Sequence, residues 1–458
     1  MSAPARPGTP GADALFAFAP DRARALAAEH GTPCFVYDVR RAEQAFLRLS
    51  AALPPRVTLA FAVKANPHPA LLARLAALGA RFDCASAGEL RRAAAALAGA
   101  AGPPAPGAAP RLLYAGPGKR EAELALALAL GARVQAEGWE DLQRVDALVA
   151  ASGTPRRDGA AAASVDVNLR VHPRLAPAEE RALLGGSGPS AFGVDEEDVP
   201  ELLARAAALT GVRVTGLHVF AATNQRDASA LLAAWAHVFE LGRSLQHEHG
   251  LQLAQIDLGG GLGVPYAADE TPLDVGALGA GLAALLARHA WFGGEVLLEP
   301  GRYIAAACGD YLVRVVRTKH SRGTRFAILE GGINHLLRPL LTGQPFPVRR
   351  VGRAAPGGGW RAGDEAAPAS RRPADEEAAP AGRRPADDGA GDGPLRSTVL
   401  AGPLCTALDR LGEVALPELA PGDLLAFGMV GAYGATEAMA DFLSHPRAAE
   451  VWVGDGGG

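Results

Sequence analysis

Lys64 is the residue whose type and position most directly indicate chemistry in this sequence. It follows the apolar run Ala60–Val63, so its ammonium would lie in or beside the core. Desolvation disfavours the charged form of an amine, and a neutral lysine can form a Schiff base with a carbonyl compound. The structural alternative is a strand-end lysine whose ammonium reaches solvent along its own aliphatic chain, and the segment alone favours this alternative.

Three further segments place polar side chains at or near the ends of predicted strands. Asp83 and Glu89 accompany the second strand, Arg170 lies near the end of the fifth, and His218 lies in the sixth. Ser86 and Glu89 also have the spacing of a helix capping box, which explains them without a catalytic role. A single histidine in a strand is more often a hydrogen-bonded core residue than a catalyst. Each segment is therefore weak evidence of a site when it is taken alone.

A glycine run and a charged turn follow the last two predicted strands. The consecutive glycines Gly259–Gly261 leave backbone N–H groups free to approach a phosphate, although glycine turns are also common without a ligand. The turn Glu299–Arg302 places a carboxylate beside a guanidinium. With the lysine and the histidine, these groups match the needs of pyridoxal phosphate: an imine lysine, a ring clamp, a phosphate cradle and a charge partner for the pyridinium nitrogen.

The elements that must position these groups alternate between short strands and helices. Eight strands over roughly 250 residues match a (β/α)8 barrel, and a doubly wound open sheet is the alternative. In a barrel, chemistry collects at the carboxyl-terminal ends of the strands, which is where these side chains fall. After Pro300 the pattern becomes that of a separate β-rich domain. The barrel strands are predicted at 57–63, 81–84, 111–115, 133–136, 164–171, 212–220, 253–258 and 295–298, and the later strands at 313–316, 325–329, 397–401 and 424–426.

The composition is that of a globular protein. The 458 residues include 45 Lys+Arg against 49 Asp+Glu, so the chain lacks the basic excess of a nucleic-acid or anionic-membrane binder. No apolar run approaches the ~20 residues that span a bilayer, and the first 30 residues do not resemble a signal peptide. Cys34, Cys84, Cys308 and Cys405 are widely spaced and form no metal-binding pattern. They indicate reduced thiols in a cytoplasmic protein.

Glycine and proline are concentrated in one stretch. The 56 glycines and 35 prolines are densest between 352 and 394, where the sequence Arg-Arg-Pro-Ala-Asp occurs twice. This stretch has few side chains to bury, so we expect a disordered insertion at 348–394 between two folded elements. A smaller loop of the same kind is predicted at 99–110.

Motifs along nearly the whole chain resemble those of the fold-type III pyridoxal-phosphate decarboxylases, the ornithine/diaminopimelate decarboxylase family. They occur in the family's order, and the insertion interrupts them. The resemblance implies a (β/α)8 barrel of the alanine-racemase type with a C-terminal β domain, and the decarboxylation of an amino acid. The motifs are FAVKANPHP, RFDCASAGEL, YAGPGKREAEL, NLRVHP, AFGV, GLHVF, DLGGGLG, EPGR, INHLLRP, GPLC and GAYG.

The resemblance also assigns roles to individual residues. Lys64 would bind pyridoxal 5'-phosphate as a Schiff base, His218 would stack on the cofactor ring, and Glu299 would keep the pyridine nitrogen protonated. Arg170 would lie near the ring hydroxyl. The other implied cofactor contacts are Asp83 and Glu89, in support of the lysine and the histidine, and Gly259, Gly260, Gly261, Gly301 and Arg302, around the phosphate.

A homodimer with shared active sites is a further implication of the resemblance. Tyr433 of GAYG would reach the cofactor, and Cys405 of GPLC would enter the neighbouring subunit's site to return a proton to Cα after carbon dioxide leaves. The implied organisation has an N-terminal segment, 1–37, that packs on the β domain, followed by the cofactor-binding barrel, 38–300. The β domain would comprise 301–347 and 395–458.

The sequence departs from diaminopimelate decarboxylases on the substrate side. Thr406 stands where those enzymes carry a glutamate for the distal amine, and Thr342 where they carry a tyrosine, although Arg338 of the same motif is kept. The C-terminal motifs resemble a subset from biosynthetic gene clusters, some of which decarboxylate an amino acid on a carrier protein, as in butirosin biosynthesis. Asp409 is a candidate substrate carboxylate with a structural turn role as the alternative, and Tyr433 is a further candidate substrate contact.

Two other functions stay open at this point. A fold-type III amino-acid racemase is the nearest, but racemases typically place an arginine opposite the pyridine nitrogen, where this chain has Glu299. A non-catalytic regulatory homologue that binds pyridoxal phosphate is disfavoured, because Lys64 and Cys405 are both retained. The expected partners are therefore a free amino acid or an aminoacyl carrier protein, with no nucleic acid, membrane or metal.

Overall fold

The computed structural model describes residues 11–100, 109–152, 164–174, 188–353 and 393–454, and its strands and helices are numbered along the chain. After β1 (Cys34–Asp38), eight parallel strands form a sheet that closes on itself. The expected (β/α)8 barrel is confirmed, and the open-sheet alternative is excluded because the ring closes where Gln135 pairs with Asn168. The barrel strands are β2 (Val57–Ala62), β3 (Arg81–Cys84), β4 (Leu112–Tyr114), β5 (Arg133–Ala136), β6 (Val165–His172), β8 (Val212–Val219), β9 (Gln255–Asp257) and β10 (Glu295–Leu298), and the short β7 (Val194–Asp195) pairs with β6 alone.

Helices connect successive barrel strands, and local sequence sets where several of them begin. Asp227 and Asp274 accept hydrogen bonds from first-turn N–H groups of the helices that follow them, as helix caps do. Among the described helices, none is long and apolar enough to cross a membrane. The helices are α1 (Pro20–His30), α2 (Val39–Ala52), α3 (Pro69–Ala77), α4 (Ala87–Ala100), α5 (Glu121–Ala129), α6 (Trp139–Ala151), α7 (Val199–Ala206), α8 (Ala228–His249), α9 (Val275–Arg288), α10 (Arg302–Ala305) and α11 (Arg338–Thr342).

The remaining strands form a second, mostly antiparallel sheet. β1 joins this sheet from the N-terminal side, since it pairs antiparallel with β11 and parallel with β17. The expected C-terminal β domain is therefore confirmed. Its strands are β11 (Gly309–Ser321), β12 (Thr324–Leu329), β13 (Val348–Gly352), β14 (Arg396–Ala401), β15 (Arg410–Leu416), β16 (Leu424–Phe427) and β17 (Ala449–Val453).

The predicted insertion begins a few residues too early. Val348–Gly352 forms β13, which pairs antiparallel with β16, because a buried valine in this segment packs on the sheet. Residues 354–392, which make up most of the predicted insertion, lie outside the described residues. The predicted loop at 99–110 is likewise described only at its two ends.

Asp310, on β11, fastens the N-terminal segment to the β domain. Its carboxylate oxygens accept hydrogen bonds from the N–H groups of Ala17, at 2.8 Å, and Phe18, at 3.1 Å. Burial raises the pKa of Asp310 to about 7, although the two N–H groups and Arg349 act in the opposite direction. The folded chain therefore retains a proton at Asp310 that an unfolded chain would release at lower pH.

We expect this group to make the fold less stable as pH rises from about 4 to about 7. A raised folded-state pKa stabilises the fold below the unfolded value, and that contribution, at most about 4 kcal/mol, is lost as pH passes the folded value. Asp310→Asn should flatten this part of the pH dependence and weaken the fold at pH 5, because an amide accepts through one oxygen only. Thermal unfolding from pH 5 to 8 measures both effects. Asp13→Asn is the control, since Asp13 is 94% exposed and also bonds to this region through Arg349. An unchanged slope in Asp310→Asn would contradict the prediction.

Candidate functional site

Lys64 lies at the carboxyl-terminal rim of the barrel, in a 3-10 turn directly after β2. Its Nζ is 3.4 Å from Oδ2 of Asp83, which lies on the neighbouring strand β3, and 5.9 Å from the ring centroid of Phe220. The lysine side chain is 46% exposed, whereas the Asp83 side chain is buried. The strand-end position thus brings an amine and a buried carboxylate together at the mouth of the barrel.

The pKa of Lys64 differs from what desolvation alone would give. Burial lowers the pKa of the amine, but the nearby Asp83, Tyr433 and Glu299 outweigh burial and raise its pKa above the ordinary value. Desolvation alone therefore does not decide the protonation of this amine, because a carboxylate lies within ion-pair distance. Lys64 is an ammonium ion paired with Asp83.

His218 and Glu299 form a buried pair at the ends of β8 and β10. The Nε2 atom of His218 is 3.2 Å from Oε2 of Glu299. Gln135, on β5, donates from Nε2 both to Oε1 of Glu299, at 3.1 Å, and to Oδ2 of Asp257, at 2.9 Å. Ligand-type atoms of His218, Asp257 and Glu299 all lie within 4.8 Å of one another. The floor of the site is therefore a compact, hydrogen-bonded cluster of titratable groups.

Burial sets the protonation of this floor. It lowers the pKa of His218 to about 4 and, with the charge of Asp83, raises the pKa of Glu299 to about 8. The pKa of Asp257 also lies well above its ordinary value because the side chain is fully buried beside Glu299. At neutral pH the imidazole is therefore neutral, and the carboxyl groups can hold a proton.

The glycine run after β9 adopts conformations that other residues rarely reach. Gly259 and Gly261 have φ values of 67° and 93°, in the left-handed region. A Cβ atom at Gly259 would lie 2.5 Å from the carbonyl oxygen of Val219, and one at Gly260 would lie 2.6 Å from that of Glu299. These glycines therefore let the loop pass directly against β8 and β10.

Several polar groups at this rim have no partner among the described residues. They are the buried atoms Nδ1 of His218 and Oδ1 of Asp83, and the backbone N–H groups of Gly260 and Gly261. A buried polar atom without a hydrogen bond is costly, and native structures satisfy most of them. A ligand with a polar ring substituent and an anionic group would pair with these atoms, and pyridoxal phosphate has both.

Tyr433 of the C-terminal domain reaches this rim. It is a non-glycine residue at a φ of 63°, and its N–H donates to the carbonyl oxygen of Ala65 at 2.8 Å, next to the lysine. The guanidinium carbon of Arg302 lies 4.8 Å from the Tyr433 ring centroid, and that of Arg338 lies 6.0 Å away. Arg302 also donates to the Tyr266 hydroxyl at 2.7 Å. Two buried arginines and two tyrosines therefore line one side of the site.

The turn after β10 packs closely against the lysine segment. A Cβ atom at Gly301 would lie 2.9 Å from the Cβ atom of Ala65. Arg170 lies in β6, with its guanidinium carbon 4.7 Å from the Phe192 ring centroid. The sequence-predicted cofactor residues Lys64, Asp83, Arg170, His218, Gly259, Gly260, Gly261, Glu299, Gly301, Arg302 and Tyr433 thus come from strand ends and loops that meet at this rim.

Two predicted site residues carry structural hydrogen bonds. Glu89 accepts from the N–H of Ala85 at 2.6 Å, and its own N–H donates to the Ser86 hydroxyl, so both bonds stabilise the start of α4. Asp409 is buried, and its two oxygens accept from the N–H groups of Ile333 and Leu404. Asp409 therefore presents no free carboxylate to a substrate, and the turn role left open by the sequence explains its contacts.

Cys405 and Thr406 lie in the loop between β14 and β15. The Cys405 side chain is exposed, and the Thr406 hydroxyl accepts from the N–H of Leu408 at 3.3 Å. Among the described residues, neither side chain has a hydrogen bond to the barrel rim. The hydrogen bond of Thr406 is therefore local to this loop.

Sequence reasoning missed Gln135, Asp257 and Tyr266 at the site. Asp257 lies two residues before Gly259, the first glycine of the run, and Gln135 is a polar residue in a short buried strand, so both had a local signal. Tyr266 follows the glycine run within a loop and had no such signal. Its importance comes only from its contact with Arg302.

Comparison with known proteins agrees with this geometry. The family model for the pyridoxal-dependent decarboxylase, pyridoxal binding domain, matches residues 39–306. A diaminopimelate decarboxylase of Deinococcus radiodurans is 31% identical, with 93% of this chain and 91% of that protein covered. This chain belongs to the pyridoxal-dependent decarboxylase family.

Two further relatives of this decarboxylase differ in what they act on. The L-glutamyl-(BtrI acyl-carrier protein) decarboxylase of Niallia circulans is 28% identical, with 93% of this chain and 90% of the relative covered. The structure of Helicobacter pylori diaminopimelate decarboxylase with L-lysine superposes with a TM-score of 0.74 at 25% identity and covers 94% of each chain. The expected family, cofactor and carboxy-lyase class are confirmed.

Proposed function

We propose that this decarboxylase removes the α-carboxylate of an amino acid through pyridoxal phosphate held by Lys64. The observation that carries the proposal is the Lys64 amine, 3.4 Å from Asp83, on a rim that also holds unpartnered atoms of His218 and the glycine loop. Once bound, pyridoxal phosphate supplies a ring that takes up the electron pair left at Cα when carbon dioxide departs.

The protein's own groups have separate tasks in this proposal. Glu299 would hold a proton at the pyridine nitrogen, and the neutral His218 would lie against the ring. Arg302, with the N–H groups of Gly260 and Gly261, would bind the phosphate. The buried, hydrogen-bonded floor keeps these groups in place and excludes water from the reacting atoms.

A homodimer completes the site in this proposal. Cys405 would come from the partner subunit and deliver the proton to Cα, and its exposed side chain is available for such a contact. Leu408, in the same loop, is 59% exposed, and Leu341, on α11, is 57% exposed. Apolar side chains of this size gain from burial against a partner.

A cytoplasmic location is part of the same proposal. Cys34, Cys84 and Cys308 are buried free thiols, and Cys405 is an exposed one. An exposed thiol that serves as a proton donor must stay reduced, and reducing conditions are those of the cytoplasm.

The proposed substrate is an aminoacyl group presented by a carrier protein, and free diaminopimelate is expected to be a poor substrate. Thr406 offers a hydroxyl where a distal amine would need a carboxylate. A substrate with a charged distal amine binds poorly to a site that lacks a carboxylate to pair with that amine. The Niallia circulans relative acts on a carrier-bound glutamyl group, which shows that this family includes such an enzyme.

A carbon dioxide release assay tests this proposal. It compares meso-diaminopimelate, lysine, ornithine, arginine and glutamate with a carrier-bound glutamyl thioester. We expect release from the thioester to exceed release from diaminopimelate by at least about tenfold, the equivalent of one lost charged contact. Efficient diaminopimelate turnover would overturn the substrate assignment but leave the decarboxylase intact. Inversion of the substrate's configuration at Cα without release of carbon dioxide would instead support a racemase.

A further inference from the structure

Four charged side chains, each largely buried, lie together behind the barrel rim and form a charged cluster: Lys119, Glu137, Asp141 and Arg170. Lys119 is the most buried, with 1% of its side chain exposed, and its Nζ is 2.9 Å from Asp141 and 3.7 Å from Glu137. Arg170 closes the cluster through an ion pair of 3.0 Å with Glu137. Two cations and two anions balance one another, as buried charges require.

Glu137 is the hub of this cluster. Its Oε1 accepts from Arg170, at 3.0 Å, and from the N–H of Gly116, at 2.7 Å, while its Oε2 accepts from the N–H of Gly193 at 3.1 Å. Burial raises the pKa of Glu137, but Arg170 and Lys119 outweigh it and hold the pKa below its ordinary value. An ionised carboxylate therefore joins the end of β6 to the loops that carry Gly116 and Gly193.

Asp141 belongs to the same cluster but has different contacts. It accepts from Lys119 and from the backbone N–H of Glu137, at 3.0 Å. It has no hydrogen bond or ion pair to Arg170 among the described contacts. Glu137 and Asp141 are thus two buried carboxylates of one cluster, and of the two only Glu137 forms an ion pair with Arg170.

Arg170 is held from two directions. Glu137 binds its Nη1 atom, and the Phe192 ring, one residue before Gly193, lies 4.7 Å from its guanidinium carbon. The charge of Arg170 reaches the reacting groups, because it acts on the protonation of Lys64, His218 and Glu299. A displacement of this guanidinium would therefore change the electrostatics at the lysine.

We propose that Glu137 is a positioning residue for pyridoxal phosphate: it fixes the Arg170 guanidinium at the barrel rim and so sets cofactor affinity. Lys119 lies in the motif YAGPGKREAEL and Gly193 in the motif AFGV. Neither motif supplies a residue with a catalytic role, and contact with Glu137 gives both motifs a function. Lys119 neutralises the far side of the carboxylate, and the Gly193 N–H fixes its second oxygen.

The test is a double-mutant cycle of Glu137→Gln and Arg170→Met, followed by the dissociation constant of pyridoxal phosphate. The constant is read from quenching of protein fluorescence, without turnover. Glu137→Gln should raise it by about tenfold, which corresponds to the loss of one charge-assisted hydrogen bond. In the Arg170→Met background the same change should raise it by less than about twofold, because the residue acts through the arginine.

A second readout separates positioning from stability. Glu137→Gln should shift the pH midpoint of the absorbance of the bound cofactor, whereas Asp141→Asn should lower the unfolding temperature and leave both this midpoint and the dissociation constant within about twofold of the parent. Equal effects of Glu137→Gln and Asp141→Asn on the dissociation constant would overturn the proposal. Additive effects in the double-mutant cycle would overturn it as well.

Discussion

Replacing Lys64 with alanine is expected to reduce carbon dioxide release by about a thousandfold or more, because the amine that holds the cofactor covalently is lost. The same variant should yield no pyridoxyl-lysine after the cofactor-loaded protein is reduced with borohydride. Mass spectrometry of the digested protein measures the modified peptide directly. The measurement is unusually clear because the chain contains only three lysines, Lys64, Lys119 and Lys319.

The other lysines provide the controls for this experiment. Lys319 lies exposed on β11, so Lys319→Ala should leave both the reduced adduct and the activity unchanged. Lys119 is buried and ion-paired with Asp141 and Glu137, so it should carry no adduct in the parent protein. An adduct that survives in Lys64→Ala, or an unmodified Lys64 peptide in the parent, would remove the lysine from the proposed mechanism. The unfolding temperature of the variant shows whether the loss comes from misfolding.

The barrel and its rim follow from local features of the sequence. Short apolar strands alternate with helices, and parallel strands in a closed barrel must bring their carboxyl-terminal ends to one face. Lys64, His218 and Glu299 occupy such ends, so a strand assignment accurate to a few residues is enough to bring them together. Motif order then supplies what spacing alone leaves open, namely which of the polar residues share a site.

The hydrogen bonds of the site depend on contacts that no local pattern reveals. Gln135 joins Asp257 and Glu299, which lie 122 and 164 residues away in the sequence. The sign of the Lys64 pKa shift depends on Asp83, which lies on a neighbouring strand, and therefore differs from an argument based on burial alone. For Asp409 the sequence leaves a substrate role and a turn role open, and only the folded chain reveals that its carboxylate accepts from two backbone N–H groups.

Glu299→Gln is expected to lower kcat by about a hundredfold or more and to leave pyridoxal phosphate bound. The amide keeps the size of the side chain, but it cannot hold a proton at the pyridine nitrogen, so the ring would accept electrons less readily. The groups proposed to bind the cofactor phosphate, at Gly260 and Arg302, are unchanged by this substitution. Steady-state carbon dioxide release and the dissociation constant of the cofactor measure the two effects separately.

Glu295 is the matched control because it is a carboxylate at the opposite end of the same strand, β10. It accepts from Arg81 at 2.7 Å and from Gln255 at 2.9 Å, far from the rim. Glu295→Gln should lower the unfolding temperature, because it leaves a partly buried arginine without its ionic partner, but it should leave kcat within about twofold. A similar loss of kcat in Glu295→Gln and Glu299→Gln would show that the barrel core, rather than the ring nitrogen, accounts for the effect.

The pH dependence of the cofactor-free protein gives an independent check on Glu299. Its pKa is raised to about 8 by burial and the charge of Asp83, so its stabilising contribution is complete below the ordinary value and is lost as pH rises towards 8. Glu299→Gln should remove this contribution, and the fall in unfolding temperature between pH 6 and 8 should become shallower than in the parent. His218 acts mainly below pH 6.5, because its pKa is lowered to about 4, and it therefore changes little in this window. A parent and variant with the same slope would mean that Glu299 is ionised throughout this range and holds no proton before the cofactor binds.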